Sequence, residues 1–192
     1  MTERKRKRVP VGDDGRPVVV AEEPVTADEV AEDAAEECDC PRLDPDDWHQ
    51  VESDWSDITF LKGSSSAVLG VPTGFQGTVG ELESRATELG ATVPEDAMAL
   101  LGSGQFRRPV WLEVEDAPDH KDIVRPGGVA YTRLVEAPLG TMGKLVREAE
   151  MEARVKYGRT PDSTWLWYLT CRLCSKERNF ETLIVSHYRD AT

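Results

Sequence analysis

The four cysteines of this chain stand in two close pairs, Cys38-Asp39-Cys40 and Cys171-Arg172-Leu173-Cys174, with none between them. Thiolates so near in sequence can both reach one ion at a zinc–sulfur distance of about 2.3 Å, so the two pairs together offer a tetrahedral four-cysteine site. Cys38, Cys40, Cys171 and Cys174 are therefore the candidate metal ligands, and one structural zinc is the expected cofactor. A site closed by four protein ligands ties two ends of a fold together and does no chemistry itself.

Cys-x-Cys is tighter than the common zinc spacing, which keeps other uses of the thiols in view. Cys171 and Cys174 alone could form a redox dithiol, although such a motif normally opens a helix whose dipole lowers the thiol pKa, and this one follows a predicted strand into a polar turn. Ordinary reduced cysteines are a further reading. An iron–sulfur cluster fits the ligand count, but neither pair has a ferredoxin spacing.

A chain of 192 residues with 39% hydrophobic and 31% charged content suits one core plus some unstructured sequence. No apolar run approaches the roughly 18 residues of a membrane span. Arg4-Lys5-Arg6-Lys7-Arg8 leads into polar sequence rather than into the apolar stretch of a secretory signal. These features predict a cytoplasmic protein, a setting in which paired cysteines more often mean metal or redox chemistry than disulfides.

The formal charge of −13 is unevenly spread. Residues 1–37 carry six basic and eleven acidic side chains, and residues 38–57 carry Arg42 against seven acids. The rest is close to balanced, with 16 basic and 18 acidic residues. An acidic arm on a near-neutral domain argues against nucleic acid as a partner, because phosphate contacts need a basic surface. The basic run at residues 4–8 reads as a solvated terminus, with contact to an acidic partner or a nucleic acid as the sharper alternative.

Residues 1–37 lack aromatics and are dominated by charge, Ala, Val and Pro, which predicts a disordered acidic tail with a transient helix at most over Val25 to Glu37. Residues 38–192 are expected to form a single α+β domain, a mostly antiparallel sheet with two or three packed helices, its two ends joined by the zinc site. Asp44-Pro45-Asp46-Asp47 reads as an acidic loop pinned by Trp48 and Trp55. Ile58 to Leu61 and Ala67 to Val71 read as short strands around a polar turn at Gly63 to Ser66.

Thr78 with Glu81 suggests a capping box for a helix that carries Val79, Leu82, Ala86 and Leu89 at helical spacing and stops at Gly90. Pro94 suits the first turn of a short helix ending at Gly102. Val110 to Val114 and Val129 to Val135 alternate as strands. Met142, Leu145, Val146, Ala149, Ala153 and Tyr157 form one stripe of a long helix over Thr141 to Tyr157, with i,i+4 pairs expected at Glu150–Arg154 and Glu152–Lys156. Trp165 to Thr170 and Phe180 to Tyr188 have the aromatic and β-branched content of central strands.

This layout puts Cys171 and Cys174 in the knuckle of the last hairpin, among Arg172, Lys176 and Arg178. His187 would pair opposite residue 164, about 23 Å from Cys171 at 3.3 Å per residue, too far to share an ion. His49 is near enough in sequence to Cys40 to replace a missing thiolate. The acidic segment 44–57 is expected to face the basic knuckle beside the metal.

Hydrolase and nucleotide signatures are absent: no Gly-x-Ser-x-Gly elbow, His-Glu-x-x-His helix, Walker loop or Rossmann glycines. Lys62 to Ser66 and Gly102-Ser103-Gly104 before Arg107-Arg108 offer donors to an anion but read better as turns, and His120 reads as a solvated loop residue. The Cys38 to His49 segment has a motif's look, with no characterised family attached to it.

Two functions are compatible with these residues. The first is a small intracellular zinc-stabilised interaction domain, whose acidic arm and Trp48 to Trp55 segment meet a protein partner. The alternative is an enzyme: a metal-dependent hydrolase whose zinc lacks one protein ligand and uses Asp39, Glu52 or Asp54 as base, or a redox protein working through Cys171 and Cys174.

Overall fold

The computed structural model describes residues 38–68 and 71–189. The expectations for the tail, residues 1–37, lie outside the described residues. The chain is α+β: the two long helices pack on one face of an antiparallel sheet, and a short helix lies in the segment that covers the other.

A four-residue helix, α1 (Pro45–Trp48), opens the chain, its N-cap Asp44 side chain accepting from Asp46 N–H. The strands follow as β1 (Glu52–Asp54), β2 (Phe60–Val68), β3 (Val71–Thr73), β4 (Ala99–Leu101), β5 (Arg107–Glu113), β6 (Ile123–Val124), β7 (Val129–Val135), β8 (Ser163–Tyr168) and β9 (Thr182–Tyr188). Helix α2 (Phe75–Leu89) follows β3, and α3 (Met142–Tyr157) follows β7. The sheet order is β1-β7-β9-β8-β4-β5-β2-β3, with β6 also paired to β2.

Two predicted elements are corrected. The polar stretch Gly63 to Ser66 is no turn: β2 runs straight through it, pairing Gly63 with Val110 and Ser66 with Arg107. Leu82 of α2 lies directly on Gly63, where a Cβ would come within 3.0 Å of its Cδ2. Ser65 is buried and its hydroxyl donates to Thr73 O at 3.1 Å. The small residues are thus strand positions, Gly63 covered by α2, Ser65 buried, Ser64 and Ser66 exposed, and the pairing with β5 overrides their turn propensity.

The short helix expected after Pro94 is absent as well. Ala97 N–H closes a turn onto Pro94 O, and the chain then enters β4, where Leu100 pairs with both Trp111 and Trp167. Leu100 and Leu101 are wholly buried on opposite faces of a central strand, so the apolar run belongs to a two-sided strand rather than to a helix.

The long helix and the strands β7, β8 and β9 lie close to their predicted ranges. Helix α2 starts three residues before the expected capping box, with Gly74 at φ 77° as its N-cap and Thr78 Oγ1 donating back to Gly74 O. Gly90 ends it at φ 76°. Neither expected i,i+4 pair on α3 forms: Glu150 accepts from Thr164, Glu152 lies near Arg133, and Lys156 turns to Glu52 and the Tyr131 ring.

The sheet has two distinct faces. Leu82 and Ala86 of α2 cover Leu61, Leu101, Val110 and Leu112, while Met142 and Ala149 of α3 cover Leu166 and Ile184. The opposite face is covered by the segment after Cys40, where Leu43, Trp55 and Phe60 pack on Trp165, Trp167, Leu183 and Val185. Trp55 is almost fully buried, and Trp48 meets Trp167 edge to face at 6.0 Å. Gly128 lets that segment close down: its φ is 70°, a Cβ there would lie 2.0 Å from Tyr188 O, and its carbonyl accepts from Trp55 N–H at 2.8 Å.

His187 belongs to this aromatic face. It pairs with Ser163, one residue from the expected register, stacks on Trp55 at 5.1 Å, and places Nε2 2.7 Å from Gly127 O. Burial lowers its pKa, with Arg189 acting in the same sense, against the Gly127 contact and Asp162. A histidine kept neutral in the native state takes up a proton more readily when unfolded, so stability is full above about pH 6.5 and falls as pH drops toward the native pKa. The expected outcome is a melting temperature that declines below pH 6.5 in the parent, with a shallower decline in His187→Gln; parallel curves would remove His187 from this role.

Candidate functional site

The two cysteine pairs come from opposite ends of the described chain and meet at one edge of the aromatic face. Cys171 and Cys174 lie in the turn that joins β8 to β9, closed by Ser175 N–H to Cys171 O at 3.0 Å and Arg178 N–H to Cys174 O at 3.0 Å. Cys38 and Cys40 lie in extended chain before Leu43, whose burial against the core anchors the segment.

The four Sγ atoms all fall within 4.8 Å of one another, and Cys171 and Cys174 are 3.9 Å apart. A tetrahedral ion with 2.3 Å bonds requires sulfurs about 3.8 Å apart, so the cluster has the size of a tetrathiolate centre. The described residues thus contain a group of four thiols able to hold a metal ion.

The electrostatics of the knuckle differ from thiol to thiol. Burial pushes the Cys171 thiol up, but the amides of Cys174 and Leu173 aimed at its sulfur outweigh this and bring it down to about 7. Leu173 N lies 3.4 Å from that sulfur. Cys38 and Cys40 are raised, first by burial and then by the thiols opposite. Cys40, whose ionisation all three other thiols oppose, is the group whose charge a cation would most need to compensate.

Arg178 is the basic residue that joins the two ends. Its Nη2 donates to Pro41 O at 2.7 Å, Nη1 donates to Leu169 O at 2.9 Å, and Nε meets Glu181 Oε2 at 2.9 Å. Burial opposes its charge, but Glu181 and then Cys174 reinforce it. The predicted attraction between the knuckle and acids 44–57 is thereby replaced by one arginine clamping two backbone carbonyls. Past it, Asn179 and Phe180 both have positive φ, 44° and 54°, an uncommon conformation for side chains of that size.

The other residues singled out from sequence stand elsewhere. His49 places Nδ1 2.9 Å from Leu134 O and is not among the clustered ligands. Glu52 accepts from the Tyr157 hydroxyl, and Asp54 accepts from Ser56 N–H and Oγ–H. Lys62, Gly63 and Ser64 line a polar cleft of about 460 Å³ with Glu81, Arg85 and Asp122, where the Arg85–Asp122 ion pair already balances the charge. His120 lies 3.6 Å from that Asp122. Gly102 accepts from Arg108 Nε at 2.6 Å, so this glycine turn is used internally.

Sequence reading gave no hint of a larger feature beside the cysteines. Helices α2 and α3 stand apart on the sheet and leave a groove of about 1290 Å³. Leu166 and Tyr168 of β8 line it together with Phe75 of α2 and Met142 and Val146 of α3, and the knuckle residues Cys171 to Leu173 border it. These residues are far apart in sequence, and each has an ordinary core or surface identity, so no local pattern marks them.

An antiparallel sheet, with two long helices on one face and four clustered cysteines where the turn between its interior strands β8 and β9 meets the start of the described chain, defines an α+β fold with a site able to hold a metal ion. The chain belongs to the family described as bacterial hydrolase, which matches residues 30–186. The matched span contains all four cysteines and every residue of the groove. No curated protein matches the chain. No helix of the described residues is long and apolar enough to cross a membrane.

Proposed function

We propose that this chain is a zinc-stapled member of the hydrolase family, in which four thiolates saturate one structural zinc and the substrate lies in the neighbouring groove. The convergence of Cys38, Cys40, Cys171 and Cys174 within 4.8 Å carries this reading. Four thiolates fill a tetrahedral shell and leave no position for the water that a catalytic zinc activates. Arg178 and the amides directed at Cys171 are the outer partners that orient such ligands. The ion fixes the knuckle, and the knuckle forms one end of the groove.

A reduced, cytoplasmic setting suits thiols kept for a metal. The partner-binding role is supported less well, because Trp48 and Trp55 spend their surface on Trp167, Phe60 and His187. A protein partner at this segment would meet the exposed Asp44, Asp46 and Asp47 instead.

Metal analysis of the purified protein by mass spectrometry, paired with thiol titration before and after denaturation, tests the proposal. One zinc per chain with all four thiols protected until denaturation is the expected result. One zinc with a single reactive thiol would replace the closed centre by a three-ligand, water-bearing ion and favour the hydrolytic zinc. Metal-free protein with a reactive Cys171 or Cys174 would favour the redox dithiol.

A further inference from the structure

We propose that the groove between α2 and α3 binds an elongated apolar molecule ending in a carboxylate, a long acyl anion; this deepens the reading above by naming the class of molecule the hydrolase handles. The groove's volume of about 1290 Å³ exceeds the roughly 300–1,000 Å³ typical of small-molecule pockets. Phe75, Met142, Val146, Leu166 and Phe180 give it an apolar lining. Two large apolar side chains remain exposed at its border, Leu139 at 53% and Leu173 at 61%. Apolar surface left open on both sides of a groove marks a place that something apolar covers.

The charges give the ligand its head. Arg108, Arg147 and Arg172 line the groove, and no carboxylate does, in a chain with 36 acidic and 23 basic residues. Arg147 and Arg172 are exposed and, among the described residues, neither pairs with a carboxylate. An arginine fork at the edge of an apolar trough accepts a carboxylate through two parallel hydrogen bonds while the attached chain lies along the trough. Arg172 and Leu173 stand between Cys171 and Cys174, so the metal knuckle presents one charged and one apolar contact to the same ligand.

The test is isothermal titration of decanoate, decanol and butanoate into the full-length protein as purified. Each methylene buried strengthens binding about fourfold, so decanoate should bind at least about 100-fold more tightly than butanoate. Loss of the charge-assisted contact should leave decanol about tenfold weaker than decanoate. Arg147→Gln with Arg172→Gln should bring decanoate down to decanol and leave decanol unchanged, whereas Val146→Glu, on the groove wall, should weaken both.

No decanoate binding, equal binding of decanoate and decanol, or indifference to the arginine substitutions would overturn the proposal. So would a tightening of decanoate by more than tenfold in the full chain carrying E32Q, D33N, E36Q and E37Q, which would assign the groove to the chain's own acidic N-terminal segment. Zinc content measured on the same samples separates the two readings. Binding by metal-free protein keeps the groove and discards the zinc, and zinc-loaded protein that binds no decanoate does the reverse.

Discussion

With zinc in the four-thiol site as proposed, its removal by chelation or by Cys174→Ser is expected to release residues 38–60 before any other part of the fold. Cys174 is the one wholly buried thiol of the four, so a serine there takes a ligand from the inside of the cluster, where no other described donor can replace it. Structural zinc is worth about 10–16 kcal/mol in small peptides that have no other core, whereas this segment has further anchors that should keep part of its stability. Those anchors are the burial of Leu43 and Trp55 and the contact of Arg178 with Pro41 O. We therefore expect a loss of at least about 4 kcal/mol, a fall in melting temperature of about 8–16 °C for a chain of this size.

Amide exchange should show protection lost first over residues 38–60 and retained in β7, β8 and β9, whose ladders are long and buried. Equal protection with and without chelator would mean that the thiols carry no structural metal.

The second large effect is expected at Arg178. The side chain is only 8% exposed, its partner Glu181 12%, and the guanidinium serves two backbone carbonyls as well as the carboxylate. Arg178→Met should cost about 3–5 kcal/mol, because it leaves a buried carboxylate without compensation and two carbonyls without donors. Adding Glu181→Leu should restore more than half of that loss, since much of the penalty is the stranded charge rather than the missing attraction. Arg178→Lys should recover little, because a point charge cannot span Pro41, Leu169 and Glu181 together. Thermal melts of these variants and of Glu181→Leu alone decide the matter, and additive single effects would show that Arg178 and Glu181 act independently.

The parts of the fold legible in the sequence are those in which local pattern and tertiary environment agree. The 3.6-residue stripe from Met142 to Tyr157 gives α3, and the β-branched and aromatic runs give β7, β8 and β9, because burial in the fold rewards the same periodicity that the side chains display. Gly63 to Ser66 and Ala97 to Leu101 failed for the opposite reason. A glycine under Leu82 with serines paired to β5, and a leucine pair inside a strand buried on both faces, take their conformation from partners distant in sequence. The capping box at Thr78 failed because Gly74 supplies an earlier start that side-chain propensity does not record.

The cysteine types and their pairing were fixed by the sequence alone, since two thiols a few residues apart must lie near each other whatever the fold. That Cys38 and Cys40 reach Cys171 and Cys174 was decided by tertiary structure, through the burial of Leu43 and Trp55 on the aromatic face and the span of Arg178 from Leu169 to Pro41. The groove belongs wholly to that level. Helices α2 and α3 each satisfy their own stripe on separate parts of the sheet, and the space between them is set by how far apart their strands lie, a distance that no run of residues encodes.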